Sequence, residues 1–287
     1  MISFPNAKIN IGLNIVKKRG DGFHDIESIF YPVALHDVLE VIVLPAKQQE
    51  VRTTTEHYDI TFSSSGIPIP GEGNLCEKAF HLLQKKFPDK INSRKTQIHL
   101  HKLIPIGAGL GGGSADAAFA LQIFNKMFEL NLETNNLKDL ASELGSDCAF
   151  FIDNTPSIAT GRGNVLERIN LDLSGFFLFL VMPEIHISTA DAYSEIIPAL
   201  PEKHLGDLIL QDIHTWKDVI KNDFEVPVFR KYPELKNMKE KLYDLGAVYA
   251  SLSGSGSTIY GIFDKKIERN NLFPNCITKS IKLKLSV

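Results

Sequence analysis

The feature that most constrains the fold of this chain is a glycine-rich stretch near its middle. Five of the seven residues 107–113 are glycine, between an alternating segment at residues 96–103 and an alanine-rich segment that begins at Ser114. Fixing many glycines in one conformation costs more entropy than fixing other residues. We therefore expect a functional strand-to-helix loop, although a flexible linker or an ordinary tight turn would have a similar composition.

A glycine-rich loop that leads directly into a helix is suited to binding phosphate groups. Successive backbone N–H groups can turn towards one anion, and the helix adds its unpaired N-terminal N–H groups and the positive end of its dipole. No Gly-Lys-Ser/Thr closes the loop, so it is not a Walker loop. The residues expected to contact the phosphates are Pro105, Gly107, Ala108, Gly109, Leu110, Gly111, Gly112, Gly113, Ser114 and Ala115.

Composition and charge exclude several classes of protein. The 287 residues predict two domains or one large one, and 31 basic against 34 acidic residues give a net charge of −3, which does not favour nucleic-acid or membrane binding. The three cysteines have no metal-ligand spacing, so no metal site within the protein is predicted and a reducing compartment is indicated. Without a recognisable targeting segment, we expect a cytoplasmic enzyme.

The periodicity of apolar residues predicts interleaved strands and helices without regular βαβ spacing, which favours the α+β class. Asn74 is the predicted N-cap of a helix. The predicted strands are 7–15, 26–30, 38–44, 53–62, 96–103, 175–182, 247–253 and 258–263, with an edge strand at 279–287; the predicted helices are 74–87, 114–130, 137–144, 190–197 and 233–245.

Lys8 and Asp147 are candidate functional residues because of their positions in the predicted strand and at the predicted helix end. Lys8 and Asn10 belong to the amide-rich face of the first strand, whose other face is apolar and is expected to be its one buried face. A lysine there could also be an ordinary surface residue that extends its ammonium group into water. Asp147 follows a helix that ends at Gly145, and it could simply cap the next short helix.

Three motifs in order make the chain resemble the GHMP kinases, a family that includes galactose, homoserine, mevalonate and phosphomevalonate kinases. The motifs are residues 5–10 (PNAKIN), residues 105–118 and residues 252–257 (LSGSGS), so the resemblance covers essentially the whole chain. It implies a two-domain α+β fold with a catalytic cleft between the domains, an N-terminal ATP-binding domain at residues 1–153 and a C-terminal domain at residues 154–287. The chain departs from the family pattern at Asn6, Phe23 and Cys148-Ala149.

The resemblance also implies the chemistry. ATP would be the phosphoryl donor, with Mg²⁺ bridging its phosphates and keeping several waters, so that few protein ligands are expected. Asp147 would be the general base for the attacking hydroxyl. Lys8 would keep Asp147 ionised and stabilise the charge near the transferred group.

Within the family, the chain is most similar to a kinase that acts on a cytidine diphosphate-linked small molecule. Phe23, His24 and Tyr193 would then recognise the cytosine by stacking and by contacts to its polar edge, although each could be an ordinary core or surface aromatic. Further expected contacts are Asn10 and Thr189 to the substrate, Asn74 to the adenine unless it only caps its helix, and Gly254 where a close approach is needed unless it only forms a turn.

Other functions remain open at this point. The chain could be another GHMP kinase of the homoserine or mevalonate type, or a nucleotide-binding sensor on the same scaffold without catalysis. A hydride-transferring dinucleotide enzyme is a more distant alternative, since the loop matches Gly-x-Gly-x-x-Gly only formally and lacks the acidic residue expected ~20 residues later. We expect a monomer or a weak homodimer that binds neither nucleic acid nor membranes.

Overall fold

The computed structural model describes residues 1–44, 60–71, 73–91, 95–267 and 272–284. The chain forms two units, each assembled from separate segments. The first consists of Met1–Asn6, Leu35–Ile106 and Gly112–Asp153, and the second of Ala7–Ala34, Gly107–Gly111 and Asn154–Val287.

Strands and helices alternate irregularly along the chain. The strands are β1 (Ile2–Ser3), β2 (Asn6–Lys18), β3 (His24–His36), β4 (Val38–Leu44), β5 (Ile60–Gly66), β6 (Lys95–Lys102), β7 (Ser157–Thr160), β8 (Val165–Arg168), β9 (Phe177–Pro183), β10 (Tyr249–Leu252), β11 (Ile259–Phe263) and β12 (Cys276–Lys282). The helices are α1 (Leu75–Lys86), α2 (Pro88–Ile91), α3 (Gly112–Met127), α4 (Thr134–Leu144), α5 (Phe150–Asp153), α6 (Thr189–Ser194), α7 (Leu205–Leu208), α8 (Trp216–Val219), α9 (Glu225–Lys231) and α10 (Pro233–Asp244), with a 3₁₀ turn at Ile213–Thr215.

The first unit contains a sheet in the order β1-β4-β6-β5, in which β5 and β6 are parallel and the other pairs antiparallel. Alternate residues of β6 are buried, namely Thr96, Ile98, Leu100 and Lys102. Helices α1 and α3 bring Phe80 and Phe124 together edge to face, with ring centroids 5.6 Å apart. The buried face of β6 thus includes one lysine.

The second unit contains two further sheets, ordered β2-β3-β7-β8 and β10-β11-β9-β12. Its core includes Leu13 of β2, Val181 of β9 and Leu252 of β10. A parallel bridge joins Leu13 to Asn222, so residues about 200 positions apart in the sequence lie side by side.

The α+β interpretation and most of the predicted elements are confirmed. The first strand was expected to bury one face, but residues 6–13 are buried on both faces, which explains why the polar face carries amides and not several charges. Helix α3 begins two residues earlier than predicted and ends at Met127, and α4 begins at Thr134. Strands β7 and β8 and several one-turn helices were not predicted, because segments of four residues are too short to display a period.

Three predictions concern the ends and boundaries of the chain. The predicted edge strand 279–287 corresponds to β12, which begins at Cys276 and pairs with β9 at the margin of its sheet. Residues 285–287 of this prediction and residues 53–59 of the predicted strand 53–62 lie outside the described residues. The domain boundary near residue 153 stays a prediction. No helix in the described part of the chain is long and apolar enough to cross a bilayer.

Candidate active site

Gly109 lies at the centre of the glycine-rich loop, in a conformation that only glycine adopts easily. Its φ is +76°, and a Cβ at this position would lie 1.9 Å from the carbonyl oxygen of Ser253. The backbones of the loop and of the C-terminal motif are therefore in direct contact at Gly109, and a side chain at this position would force them apart.

Three successive carbonyl groups hold this part of the loop within the second unit. The carbonyl of Ala108 accepts from the amide of Thr258 at 3.2 Å, and that of Leu110 accepts from the amide of Lys8 at 2.9 Å. The carbonyl of Gly109 accepts from the hydroxyl of Ser253 at 2.8 Å. These bonds use carbonyl groups, so they leave the amide N–H groups of the loop available to an anion.

The loop continues directly into α3, whose first turn contains no acidic side chain. No carboxylate of the first turn therefore opposes the positive end of the dipole of this 16-residue helix. Gly112 packs against the strand that precedes the loop, where a Cβ would lie 2.8 Å from Cγ2 of Ile104. The phosphate-binding role of this loop-helix junction stays a prediction.

Lys8 is a buried residue of β2 in the second unit, with a relative exposure of 3%. Its Nζ donates to Oδ1 of Asn10 and lies 4.6 Å from the centre of the Phe30 ring. The interpretation of Lys8 as an ordinary surface lysine is therefore wrong. A buried ammonium group at a fixed position is suited to stabilising negative charge on a ligand.

In addition to its bond with Lys8, Asn10 forms hydrogen bonds to three other residues of the second unit through its side chain and its backbone. Its Nδ2 donates to the Ser28 hydroxyl at 2.8 Å, its backbone amide donates to Ser253 Oγ at 3.3 Å, and its carbonyl accepts from the Tyr260 hydroxyl at 2.7 Å. Asn10 was predicted to contact the substrate, and its side chain is engaged with Lys8 and Ser28. It therefore orients Lys8, and any role in binding the substrate stays a prediction.

Sequence reasoning missed Ser28, Ser253 and Tyr260 as supports of this site. Ser28 interrupts the apolar residues of β3, and a hydroxyl at such a position is a signal of a buried hydrogen bond. Ser253 lies within the C-terminal motif and is also buried. The partner of each hydroxyl could not be identified, because the interacting residues lie far apart in the sequence.

Asp147 belongs to the first unit, where it lies half-buried in the turn between α4 and α5. The neighbouring Cys148 is buried, and burial raises the pKa of its thiol to about 12, so this sulfur stays protonated at neutral pH. The Ser114 hydroxyl hydrogen-bonds to the same thiol. The Cys148-Ala149 departure from the family pattern thus places an uncharged, buried pair directly after the predicted base.

The aromatic residues predicted to recognise cytosine lie in the second unit. His24 and Tyr193 stack on each other with ring centroids 4.6 Å apart and an interplanar angle of 17°. Burial, and to a lesser degree the charge of Lys18, lower the pKa of His24, which favours the neutral imidazole. Phe23 is half exposed at 51%, and the Arg162 guanidinium lies 4.6 Å from its ring centre.

The remaining predicted residues have clear local roles. Asn74 forms a capping box with Glu77, accepting from the amide of Cys76 at 2.6 Å, so the capping interpretation is confirmed and a contact to adenine stays a prediction. Thr189 is the exposed first residue of α6. Gly254 has φ +56°, and a Cβ there would lie 3.3 Å from Oδ1 of Asn10, so this glycine permits a close approach to Asn10.

Comparison with known proteins agrees with this arrangement. Residues 74–161 match the family model described as "GHMP kinases N terminal domain", and residues 197–274 match "GHMP kinases C terminal". The chain therefore belongs to the GHMP kinase family and is an ATP-dependent small-molecule kinase. This membership confirms the predicted family and excludes the hydride-transferring alternative.

Within the family, the chain is similar in sequence to one type of kinase. The chain is 46% identical to 4-diphosphocytidyl-2-C-methyl-D-erythritol kinase of Cytophaga hutchinsonii, over 93% of this chain and 94% of the relative. It is 45% identical to the same kinase of Bacteroides fragilis, over 92% of each chain. A crystal structure of 4-(cytidine 5'-diphospho)-2C-methyl-D-erythritol kinase superposes with a TM-score of 0.71 at 28% identity, covering 91% of this chain and 89% of that one.

Proposed function

We propose that this chain transfers the γ-phosphoryl group of ATP to the 2-hydroxyl of 4-diphosphocytidyl-2-C-methyl-D-erythritol, giving the 2-phosphate and ADP. The reaction would serve the non-mevalonate route to isoprenoid precursors. The choice of substrate is supported by relatives of that name at 46% and 45% identity over more than nine-tenths of the chain.

The observation that carries phosphoryl transfer is the placement of Lys8 in the second unit. Its backbone amide is bonded to the carbonyl of Leu110 in the glycine-rich loop, and its ammonium group is buried against Asn10. A fixed positive charge on the same strand that anchors the loop stabilises the charge that develops during transfer.

Asp147 is the general base of the proposed reaction. Its carboxylate accepts the proton of the 2-hydroxyl while the hydroxyl oxygen forms a bond to the γ-phosphorus and the bond from that phosphorus to the leaving oxygen of ADP breaks. Cys148 next to it is held as a neutral thiol, so the departure from the family pattern adds no competing negative charge.

The loop residues 107–113 and the N-terminus of α3 hold the phosphates of ATP in this proposal. Mg²⁺, when bound, neutralises phosphate charge and keeps several waters. Among the described residues no group of three or more His, Cys, Asp or Glu side chains could hold a metal ion.

Cytosine recognition is assigned to Phe23, His24 and Tyr193. Because the His24 and Tyr193 rings already contact each other, a base must stack on an outer face of this pair or displace one ring. Phe23, half exposed, offers a further stacking surface. Thr189 and Gly254 would line the path of the remaining substrate. We further propose that the enzyme acts in the cytoplasm as a monomer or a weak homodimer.

The test is ADP release with ATP and Mg²⁺, comparing 4-diphosphocytidyl-2-C-methyl-D-erythritol with homoserine and mevalonate. Turnover is expected only with the cytidylated alcohol, and Asp147→Asn should lower it by about 10²- to 10⁴-fold, the usual contribution of a general base. Asn in place of the exposed Asp139 of α4 is the matched control and should be silent. Turnover with homoserine or mevalonate would keep the kinase and reject the cytosine assignment.

A further inference from the structure

A cluster of three buried charged residues lies in the first unit and has no role in the reaction described above. Lys102 at the end of β6 donates from Nζ to Oδ2 of Asp37 at 2.5 Å and to Oδ2 of Asp116 at 2.7 Å. The relative exposures are 1% for Lys102, 0% for Asp37 and 3% for Asp116. One cation and two carboxylates are therefore enclosed together.

Asp37 fastens the chain that enters the phosphate loop. Its Oδ1 accepts from the amide of Leu103 at 2.6 Å and from the amide of Ile104 at 2.9 Å. These are the last two residues before Pro105, where the loop motif begins. A single carboxylate thus fixes both backbone groups immediately ahead of the loop and pairs with Lys102 as well.

The same cluster reaches the chain that leaves the loop. Asp116 is the fifth residue of α3, and a Cβ on Gly112, the first residue of that helix, would lie 3.0 Å from Nζ of Lys102. Lys102 therefore connects the strand that precedes the loop to the helix that follows it. The span between the two anchoring points is the loop itself, residues 105–111.

Stability alone does not explain such a cluster. Buried ionic groups contribute little net stability, and well-packed apolar residues in their place are often as stable or more stable. The arrangement is also imperfect, since Oδ1 of Asp116 is buried without a hydrogen-bond partner among the described residues. Hydrogen bonds and ion pairs are directional, so the cluster fixes the relative orientation of the two chain segments it joins. Apolar side chains would not do so.

We propose that Lys102, Asp37 and Asp116 are positioning residues that set the geometry of the phosphate loop by clamping its two ends to each other. The inference rests on the proposed binding of ATP phosphates by that loop. The three residues act through the backbone of Leu103 and Ile104 and through the first turn of α3.

The decisive variant replaces the cluster by neutral groups. Lys102→Met, Asp37→Asn and Asp116→Leu are combined, which removes every charge and keeps an amide oxygen to accept from Leu103 and Ile104. We expect the triple variant to unfold at a temperature no lower than the wild type and to bind ATP with Mg²⁺ at least about tenfold more weakly by calorimetry. In turnover, KM for ATP should rise while KM for the alcohol stays the same.

A control variant outside the cluster makes the result specific. Phe128→Leu removes buried volume just past the far end of α3, about 24 Å from Gly112, and should lower stability without changing ATP affinity. Both measurements use the full chain.

Each other outcome overturns the inference or separates it from the proposed function. A folded triple variant that binds ATP as the wild type does would show that the loop does not depend on the charged link between its two ends, and would overturn the inference. A triple variant that does not fold would assign the cluster to stability and overturn a positioning role. If the wild type itself binds no ATP, the proposed function fails first, and the clamp then has no loop function to support.

Discussion

The hydroxyl of Ser253 donates to the carbonyl of Gly109 at 2.8 Å, and the same oxygen accepts from the amide of Asn10 at 3.3 Å. One buried side chain thus joins the glycine-rich loop, the strand that carries Lys8 and the C-terminal motif within the second unit. The three sequence motifs are far apart in the chain but meet at this one hydroxyl group.

Replacing Ser253 by alanine should therefore impair the site more than the fold. Loss of the two hydrogen bonds is expected to lower the free energy of unfolding by about 1 kcal/mol. The rate constant kcat/KM should fall about tenfold, equivalent to about 1.4 kcal/mol, because loop and lysine are no longer tied together. Steady-state kinetics and denaturant unfolding measure the two effects.

Ser142→Ala is the control for that variant, since its hydroxyl also donates to a backbone carbonyl, that of Lys138, but within α4. It should keep wild-type activity, because its hydroxyl contacts only its own helix. Equal kinetic losses in both variants would contradict the assigned role of Ser253.

Gly109→Ala should abolish tight ATP binding. The added methyl group would lie 1.9 Å from the Ser253 carbonyl oxygen, and the positive φ of +76° disfavours any side chain. We expect ATP affinity to fall by more than about tenfold in a titration of the full chain. In contrast, Gly20→Ala meets no atom within 4 Å and should bind ATP normally. Unchanged ATP affinity in Gly109→Ala would reject the phosphate-binding role of the loop.

The stability of the protein should depend on pH through Asp116. Burial, opposed by Lys102 and reinforced by Asp37, raises the pKa of this carboxyl from 3.8 to about 7 in the folded state. The folded state then binds more protons than the unfolded state between about pH 4 and pH 7, so the group's contribution to stability is present at low pH and is lost as the pH rises through 7.

Asp116→Asn removes this titration. The free energy of unfolding of the variant relative to the wild type should increase between pH 5 and pH 7 by an amount on the order of 1 to 4 kcal/mol, then level off above about pH 8. Denaturant unfolding at a series of pH values gives both curves. Parallel curves would mean that Asp116 has an ordinary pKa.

Tyr193→Ala should weaken binding of the cytidylated substrate while sparing ATP. The variant removes the ring that stacks on His24 at 4.6 Å, and the loss of one stacking partner corresponds to about a tenfold rise in KM for the alcohol. Because His24 becomes more exposed, its lowered pKa should return towards the ordinary value, which proton NMR of the imidazole records. Tyr193→Phe keeps the ring and should behave as the wild type. A rise in KM for ATP instead would place the aromatic pair at the other substrate.

Local patterns predicted much of this structure. The alternation along β6, the cap at Asn74 and the passage from glycine loop to helix each depend on neighbours in the sequence, and all are found, although α3 begins at Gly112 and not at the predicted Ser114. The same alternation placed Lys102 on the apolar face of β6, together with Ile98 and Leu100. A lysine in that register was a signal of a buried charged cluster, but its carboxylate partners could not be identified from the pattern.

The contacts that orient the site escaped prediction because they connect distant residues. The Asn10–Tyr260 hydrogen bond spans 250 positions and the Gly109–Ser253 bond spans 144. No periodicity relates such residues, so only the folded chain brings them together. Likewise, the amides of β2 indicated a special face, but its complete burial depends on segments that pack over it from elsewhere in the chain.

The bridge between Leu13 and Asn222 has a consequence for biosynthesis. The amide of Leu13 donates to the carbonyl of Lys221 and its carbonyl accepts from the amide of Asp223, both within the second unit. During translation, β2 therefore leaves the ribosome long before the segment it must join, and it waits while about 200 further residues are made. A pairing of such long range folds slowly. The Leu13–Asn222 pairing, which lies on the strand that carries Lys8, can therefore form only after the segment around residue 222 has been synthesised.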